Sequence, residues 1–152
     1  MLKLKTNLQN FYLGLKFSFS YFSILPISFK VSDNLSHKHV LASMLFFLPF
    51  VGLILGLVIA NLFFLLANLT WFGALISAIV YMSLYGFLHT EAVCDVADAI
   101  YASHGKKDAY TIIKEPLVGA MGVLFSTALI LLKVAGIVFL FINNYIIEFI
   151  AI

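Results

Sequence analysis

The stretch VLASMLFFLPFVGLILGLVIANLFFLLA, Val40 to Ala67, runs 28 residues without a charge. About 20 apolar residues cross the hydrocarbon core of a bilayer, so this run is long enough to span it. Pro49, Gly52 and Gly56 lie inside it. Gly52 and Gly56 form a G-x-x-x-G, a spacing that lets helices approach closely; ordinary glycines of a membrane helix read the same way. Working outward, Asn68 to Thr70 make a tight polar turn, and Trp71 suits an interfacial position. A second uncharged run, Trp71 to Leu88, and a third, about Val118 to Phe141 with Lys133 inside it, are each long enough to span.

Composition agrees with a membrane solvent. Of 152 residues, 63% are hydrophobic and 11% charged, against about 25% charged in a soluble domain. The length suggests one domain. A net charge of +2 is too small to argue for nucleic acid, and all nine basic residues are Lys. The bidentate fork that most often grips phosphate is therefore missing. The single Cys94 excludes an internal disulfide and a cysteine zinc cage.

The N-terminal MLKLKTNLQNFYLGLKFSFSYFSILP lacks the unbroken apolar core and small-residue cleavage site of a signal peptide, because Lys16 interrupts it. Leu4, Leu8, Phe11, Leu15 and Phe22 recur at helical spacing with polar residues between. The pattern predicts an amphipathic helix lying in the interface and ended by Pro26, with a tilted or re-entrant segment as the alternative. The expected fold is all-α: a polytopic integral membrane protein with about three transmembrane helices plus this interfacial helix. It divides into helix and loop over 1–39, two spans over 40–88, an acidic loop over 89–117, and a third span and tail over 118–152. Five Lys precede the first span, three lie between the second and third, and the turn between the first two has none. The positive-inside rule puts the N-terminus and the acidic loop in the cytoplasm.

That loop opens with HTEAVCDVADAI, His89 to Ile100, which holds three of the seven acidic residues. If the second span runs on past Leu88, Glu91, Asp95 and Asp98 stand at i, i+4 and i+7 on one helix face. Adjacent like charges there repel by about 0.2–0.5 kcal/mol per pair. A divalent cation reverses that sign, and hard carboxylate oxygens suit Mg²⁺, Mn²⁺ or Ca²⁺. A solvated acidic helix end has the same spacing. Two details favour the metal: acids at the C-terminal end of a span oppose the helix dipole, and Ala92, Ala97 and Ala99 leave room beside them. His89 reads as a ligand, a proton carrier or an interfacial polar residue. Cys94 lacks a neighbouring base and reads as a small filler. His37 and His39 form an H-x-H, a weak metal signal that reads first as loop polarity; His104, Lys106 and Lys107 read as a turn, with phosphate or anionic lipid head groups as the alternative for the two lysines. Lys133, a charge within a span, is a functional candidate by default, with snorkelling as the alternative.

FLHTEAVCDVADAIYA followed by IIKEPLVGAMGVLFSTALILLK resembles the cobalamin-5′-phosphate synthase family, also called adenosylcobinamide-GDP ribazoletransferases. That family shows H-x-D-G-x-x-D-x-x-D-G, then M-K-D-S-x-x-G-x-x-G before a membrane helix ending in Lys. His89, Asp95, Asp98, Lys114, Gly119, Gly122 and Lys133 fall at matching places. FYLGLKFSFSYFSILPI and FFLPFVGLILGLVIA are similar to the family's opening helix and first span. Glu91 and Glu115 stand for its Asp, Ala92 and Ala99 for its Gly, Pro116 for its Ser and Leu117 for its Arg. Family members are half as long again, with further membrane helices after the third span.

The resemblance implies a membrane transferase of the last steps of vitamin B12 assembly, in the cytoplasmic (inner) membrane of a bacterium or archaeon. It would join adenosylcobinamide-GDP to α-ribazole or its 5′-phosphate and release GMP, using Mg²⁺. By the same resemblance Glu91, Asp95, Asp98 and Glu115 hold the metal, Asp98 and Lys114 are catalytic, and His89, Gly119 and Gly122 bind substrate. The expected partners are those two substrates and the lipid bilayer, with a homo-oligomer or another chain supplying missing helices left open. The alternative is a truncated or degenerate, non-catalytic membrane protein that binds a cation or corrinoid, or serves as a transporter or assembly subunit.

Overall fold

The helices of the chain are set by where apolar runs are punctuated. The computed structural model describes residues 2–103 and 118–151. Every described element is helical: α1 Leu2–Phe22, α2 Lys38–Leu65, α3 Trp71–Leu84, α4 Thr90–Ser103, α5 Ala120–Ile142 and α6 Ile146–Ala151, with a 3₁₀ turn Ala67–Leu69 joining α2 to α3. The all-α expectation holds for these residues. α2 and α5 are long and apolar enough to cross a membrane. At 1.5 Å per residue they measure roughly 42 and 34 Å, against a hydrocarbon core of about 30 Å.

The second apolar run departs from expectation. It is helical only over the 14 residues of α3, roughly 21 Å, which is too short to cross alone. The helix does not run on past Leu88. Gly86 adopts φ +68°, its N–H donates to Ser83 O at 3.0 Å, and the Phe87 N–H donates to Met82 O at 3.1 Å. These paired bonds around a left-handed glycine close a helix C-terminus. Phe87 and His89 are also left-handed, at φ +51° and +68°, and α4 restarts at Thr90. Hydrophobicity alone cannot register this stop, because Phe87 and Leu88 are as apolar as the helix before them. Asn144, φ +60°, ends α5 the same way, with the Tyr145 N–H on Leu140 O at 2.8 Å.

α1 is helical as predicted, ending at Phe22 rather than running to Pro26. It runs beside the first half of α2, with Asn7 and Asn10 next to His39 and Phe22 facing the Pro49–Gly52 region. Gly14 meets Ser43 so closely that a Cβ there would overlap it, and the Phe11 ring lies 4.7 Å from Phe47. α2 covers only part of the apolar stripe of α1, since Leu8 and Phe11 stay exposed. The chain returns along α1 over 23–37, where Lys16 Nζ donates to Ser28 O at 2.6 Å.

At the other end Ile59, Ala74, Phe141 and Phe149 form the buried core. Phe63 and Phe141 stack with centroids 4.6 Å apart and planes within 4°. This joins the C-terminal ends of α2 and α5, and α3 runs antiparallel between them. Of the G-x-x-x-G pair only Gly56 faces a neighbouring segment: a Cβ there would stand 3.4 Å from the Ile150 Cα, while one on Gly52 would meet nothing within 4 Å among the described residues.

Candidate functional site

α4 carries the acidic face. Because the helix restarts at Thr90, Glu91 sits in the first turn of α4. A carboxylate there complements the helix dipole. The expectation that these acids sit at a C-terminal end, against the dipole, is corrected by the break. The i, i+4, i+7 spacing survives the correction. Glu91 and Asp95 are exposed, Asp98 is half-buried, and neither exposed carboxylate has a hydrogen-bond or ion-pair partner among the described residues.

Asp98 turns away from them, onto the start of α5. Gly119 is the N-cap of α5 and has no side chain to satisfy the helix's first amides. Asp98 supplies that function from α4. Its Oδ2 accepts the Gly119 N–H at 2.6 Å and its Oδ1 accepts the Gly122 N–H at 2.7 Å. Gly122 is the N3 position, whose amide an N-cap side chain would normally engage. Both bonds are charge-assisted. A Cβ on either glycine would overlap the Asp98 carboxylate, and at Gly122 it would also meet the Cys94 carbonyl. Asp98, Gly119 and Gly122, read from sequence as metal, catalytic and substrate residues, are therefore brought together and committed to one another.

Among the described residues no three His, Cys, Asp or Glu side chains converge on a metal position. Glu91 and Asp95 remain as two exposed hard donors one turn apart. That number suits Mg²⁺, which commonly takes one or two carboxylates and completes its shell with water and substrate phosphate. Lys114 and Glu115, and with them His104, Lys106 and Lys107, lie outside the described residues. Cys94 is half-buried between the acids. On its apolar side α4 faces a cavity of about 640 Å³ lined by Ala92, Val93, Val96, Ala97 and Phe125.

His89 is not on the acidic face. It lies in the break, lining a different cavity with Tyr81, Tyr85 and Lys133. The sequence reading passed over the two tyrosines. Their i, i+4 spacing just before Gly86 is the signal that would have found them.

The family model for cobalamin-5-phosphate synthase matches residues 14–152. The adenosylcobinamide-GDP ribazoletransferase of Clostridium perfringens (strain SM101 / Type A) is 33% identical over 131 residues, covering 84% of this chain and 50% of the relative. That of Chlorobium chlorochromatii (strain CaD3) is 34% identical over 118 residues, covering 76% and 44%, and that of Treponema denticola is 28% identical over 127, covering 83% and 46%. The chain spans about half the length of the curated relatives it matches, a larger difference than the sequence reading expected. No solved structure matches it.

Proposed function

The chain belongs to the cobalamin-5-phosphate synthase family, and from that membership we propose that it carries the ribazole-transfer reaction for which its relatives are named. In this reading adenosylcobinamide-GDP and α-ribazole, or its 5′-phosphate, are the substrates. A ribose hydroxyl attacks the phosphorus attached to cobinamide, the bond from that phosphorus to the GMP oxygen breaks, and GMP leaves with the bonding electrons. The match over residues 14–152, which takes in the whole acidic helix and its docking partner α5, carries the reading.

Each residue has a proposed part. Glu91 and Asp95 hold Mg²⁺, with Glu115 as a further ligand. When bound, the ion supplies charge neutralisation at the diphosphate. A carboxylate of the Glu91–Asp95 pair accepts the proton of the attacking hydroxyl. Lys114 offsets phosphate charge. Asp98 is a positioning residue in this scheme, since its oxygens already accept the amides of Gly119 and Gly122. The apolar cavity beside Phe125 takes part of the corrinoid. In the membrane, α2 and α5 cross and the broken pair α3–α4 makes the third crossing. The lysine distribution turns α4 toward the cytoplasm.

The test is GMP release by the purified chain in detergent, given adenosylcobinamide-GDP, α-ribazole and Mg²⁺. No GMP from this chain, while a full-length relative produces it in parallel, overturns the reading.

A further inference from the structure

Lys133 stands thirteen residues into α5 from Ala120 and nine from Ile142, roughly 20 and 14 Å from the two helix ends. An extended lysine stem, built of bonds of about 1.5 Å, reaches only about 6 Å. The ammonium therefore reaches neither end of the helix, and the charge sits midway along α5. Its Nζ lies 5.7 Å from the centroid of the Tyr85 ring, and among the described residues the ammonium makes no hydrogen bond or ion pair.

The break between α3 and α4 lies at the same depth. Non-helical backbone is tolerated there only where protein buries it or where it lines a polar cavity. Two adjoining cavities, about 500 and 590 Å³, share Tyr81, Tyr85 and Lys133, and His89 of the break lines the larger. Next to His89, the Thr90 hydroxyl is buried without a partner among the described residues. Among the described residues the Tyr85 hydroxyl reaches only the Met82 sulfur, at 3.0 Å, a weak acceptor that a stronger one would displace. Among the described residues, no carboxylate lines either cavity. The polar lining consists of a cation and groups able to donate, at a helix interruption, which is how membrane proteins build anion sites near the midplane.

We propose that this cavity binds the phosphate of an amphipathic phosphate ester. Lys133 supplies the charge, Tyr85 and His89 hydrogen-bond the oxygens, and the walls formed by Met82, Ile137 and Leu140 take the apolar body. The ester is a lipid or a soluble aryl phosphate, and the two arms of the test separate them. The site does not depend on the transferase reading, because binding here requires neither metal nor nucleotide.

The full chain is reconstituted in phosphatidylcholine nanodiscs and followed by native mass spectrometry. One arm adds phosphatidylglycerol to the discs; the other titrates phenyl phosphate. Wild type is expected to hold one of these probes, and which one identifies the source. Lys133→Met should weaken that binding about tenfold to a hundredfold, the loss of one charged hydrogen bond. Lys133→Arg should restore most of it. If Lys133→Met fails to assemble, Tyr85→Phe takes its place, with several-fold weaker binding expected. Binding of neither probe by wild type overturns the proposal. So does unchanged binding in a variant whose helical circular dichroism matches wild type.

Discussion

Asp98 caps a helix to which it does not belong: its carboxylate accepts the Gly122 amide at 2.7 Å, across 24 residues of sequence. With the Gly119 bond at 2.6 Å, this fastens the acidic helix to the start of a membrane span. One carboxylate thereby fixes where the other two point.

Asp98→Asn should therefore act first on stability. An amide offers one acceptor oxygen where the structure uses two, and it removes the charge at the helix N-terminus. A loss of about 1.5–3 kcal/mol is expected, the range for hydrogen bonds to charged groups, read as a lower unfolding midpoint in detergent. Glu91→Gln and Asp95→Asn, at exposed positions without partners among the described residues, should leave the midpoint within about 0.5 kcal/mol of wild type. Equal midpoints for all three variants would remove the capping role.

The two glycines should answer to Asp98. Gly119→Ala places a methyl whose three nearest atoms all belong to the Asp98 carboxylate, whereas Gly122→Ala also meets the Cys94 carbonyl. Overpacking of this kind costs about 1–3 kcal/mol. In the background of Asp98→Ala, the Gly119→Ala penalty should largely vanish and the Gly122→Ala penalty should fall only in part. A double-mutant cycle measures this; additive penalties at Gly119 contradict the contact.

The proposed metal pair makes a separate forecast. Removing one of two carboxylate ligands should weaken divalent binding by about tenfold or more. Mn²⁺ binding followed by electron paramagnetic resonance gives the affinity directly for Glu91→Gln and Asp95→Asn. Unaltered Mn²⁺ affinity in both variants would remove the pair from the metal site, whatever happens to turnover.

At the opposite end of the bundle, Phe141 is 1% exposed, stacks on Phe63 and meets Phe149 at a tilt of 59°. Phe141→Ala should destabilise by about 3–5 kcal/mol. Mn²⁺ affinity per folded molecule should stay unchanged, because the aromatic core and the acidic helix lie at different ends. Guanidinium or thermal unfolding alongside Mn²⁺ titration checks both parts.

The long apolar runs made α2 and α5 legible from sequence, since membrane crossing is a matter of length and lack of charge along one segment. The helical content of α1 and the spacing of Glu91, Asp95 and Asp98 were legible for the same reason: each is periodicity within one stretch of chain. The stop at Gly86 was present in the letters but hidden, because Phe87 and Leu88 continue the apolar run while the backbone has already turned left-handed.

The sequence by itself determined an all-helical, membrane-type chain with an acidic helix of fixed spacing, all properties that need only neighbours along the chain. The tertiary structure alone decided which carboxylate faces outward and which becomes a cap, and that His89 sits with Lys133 rather than with the acids. Those assignments depend on Gly119 and Gly122 meeting Asp98 and on Tyr85 meeting Lys133. Such contacts join segments more than 20 residues apart, and no local periodicity encodes them.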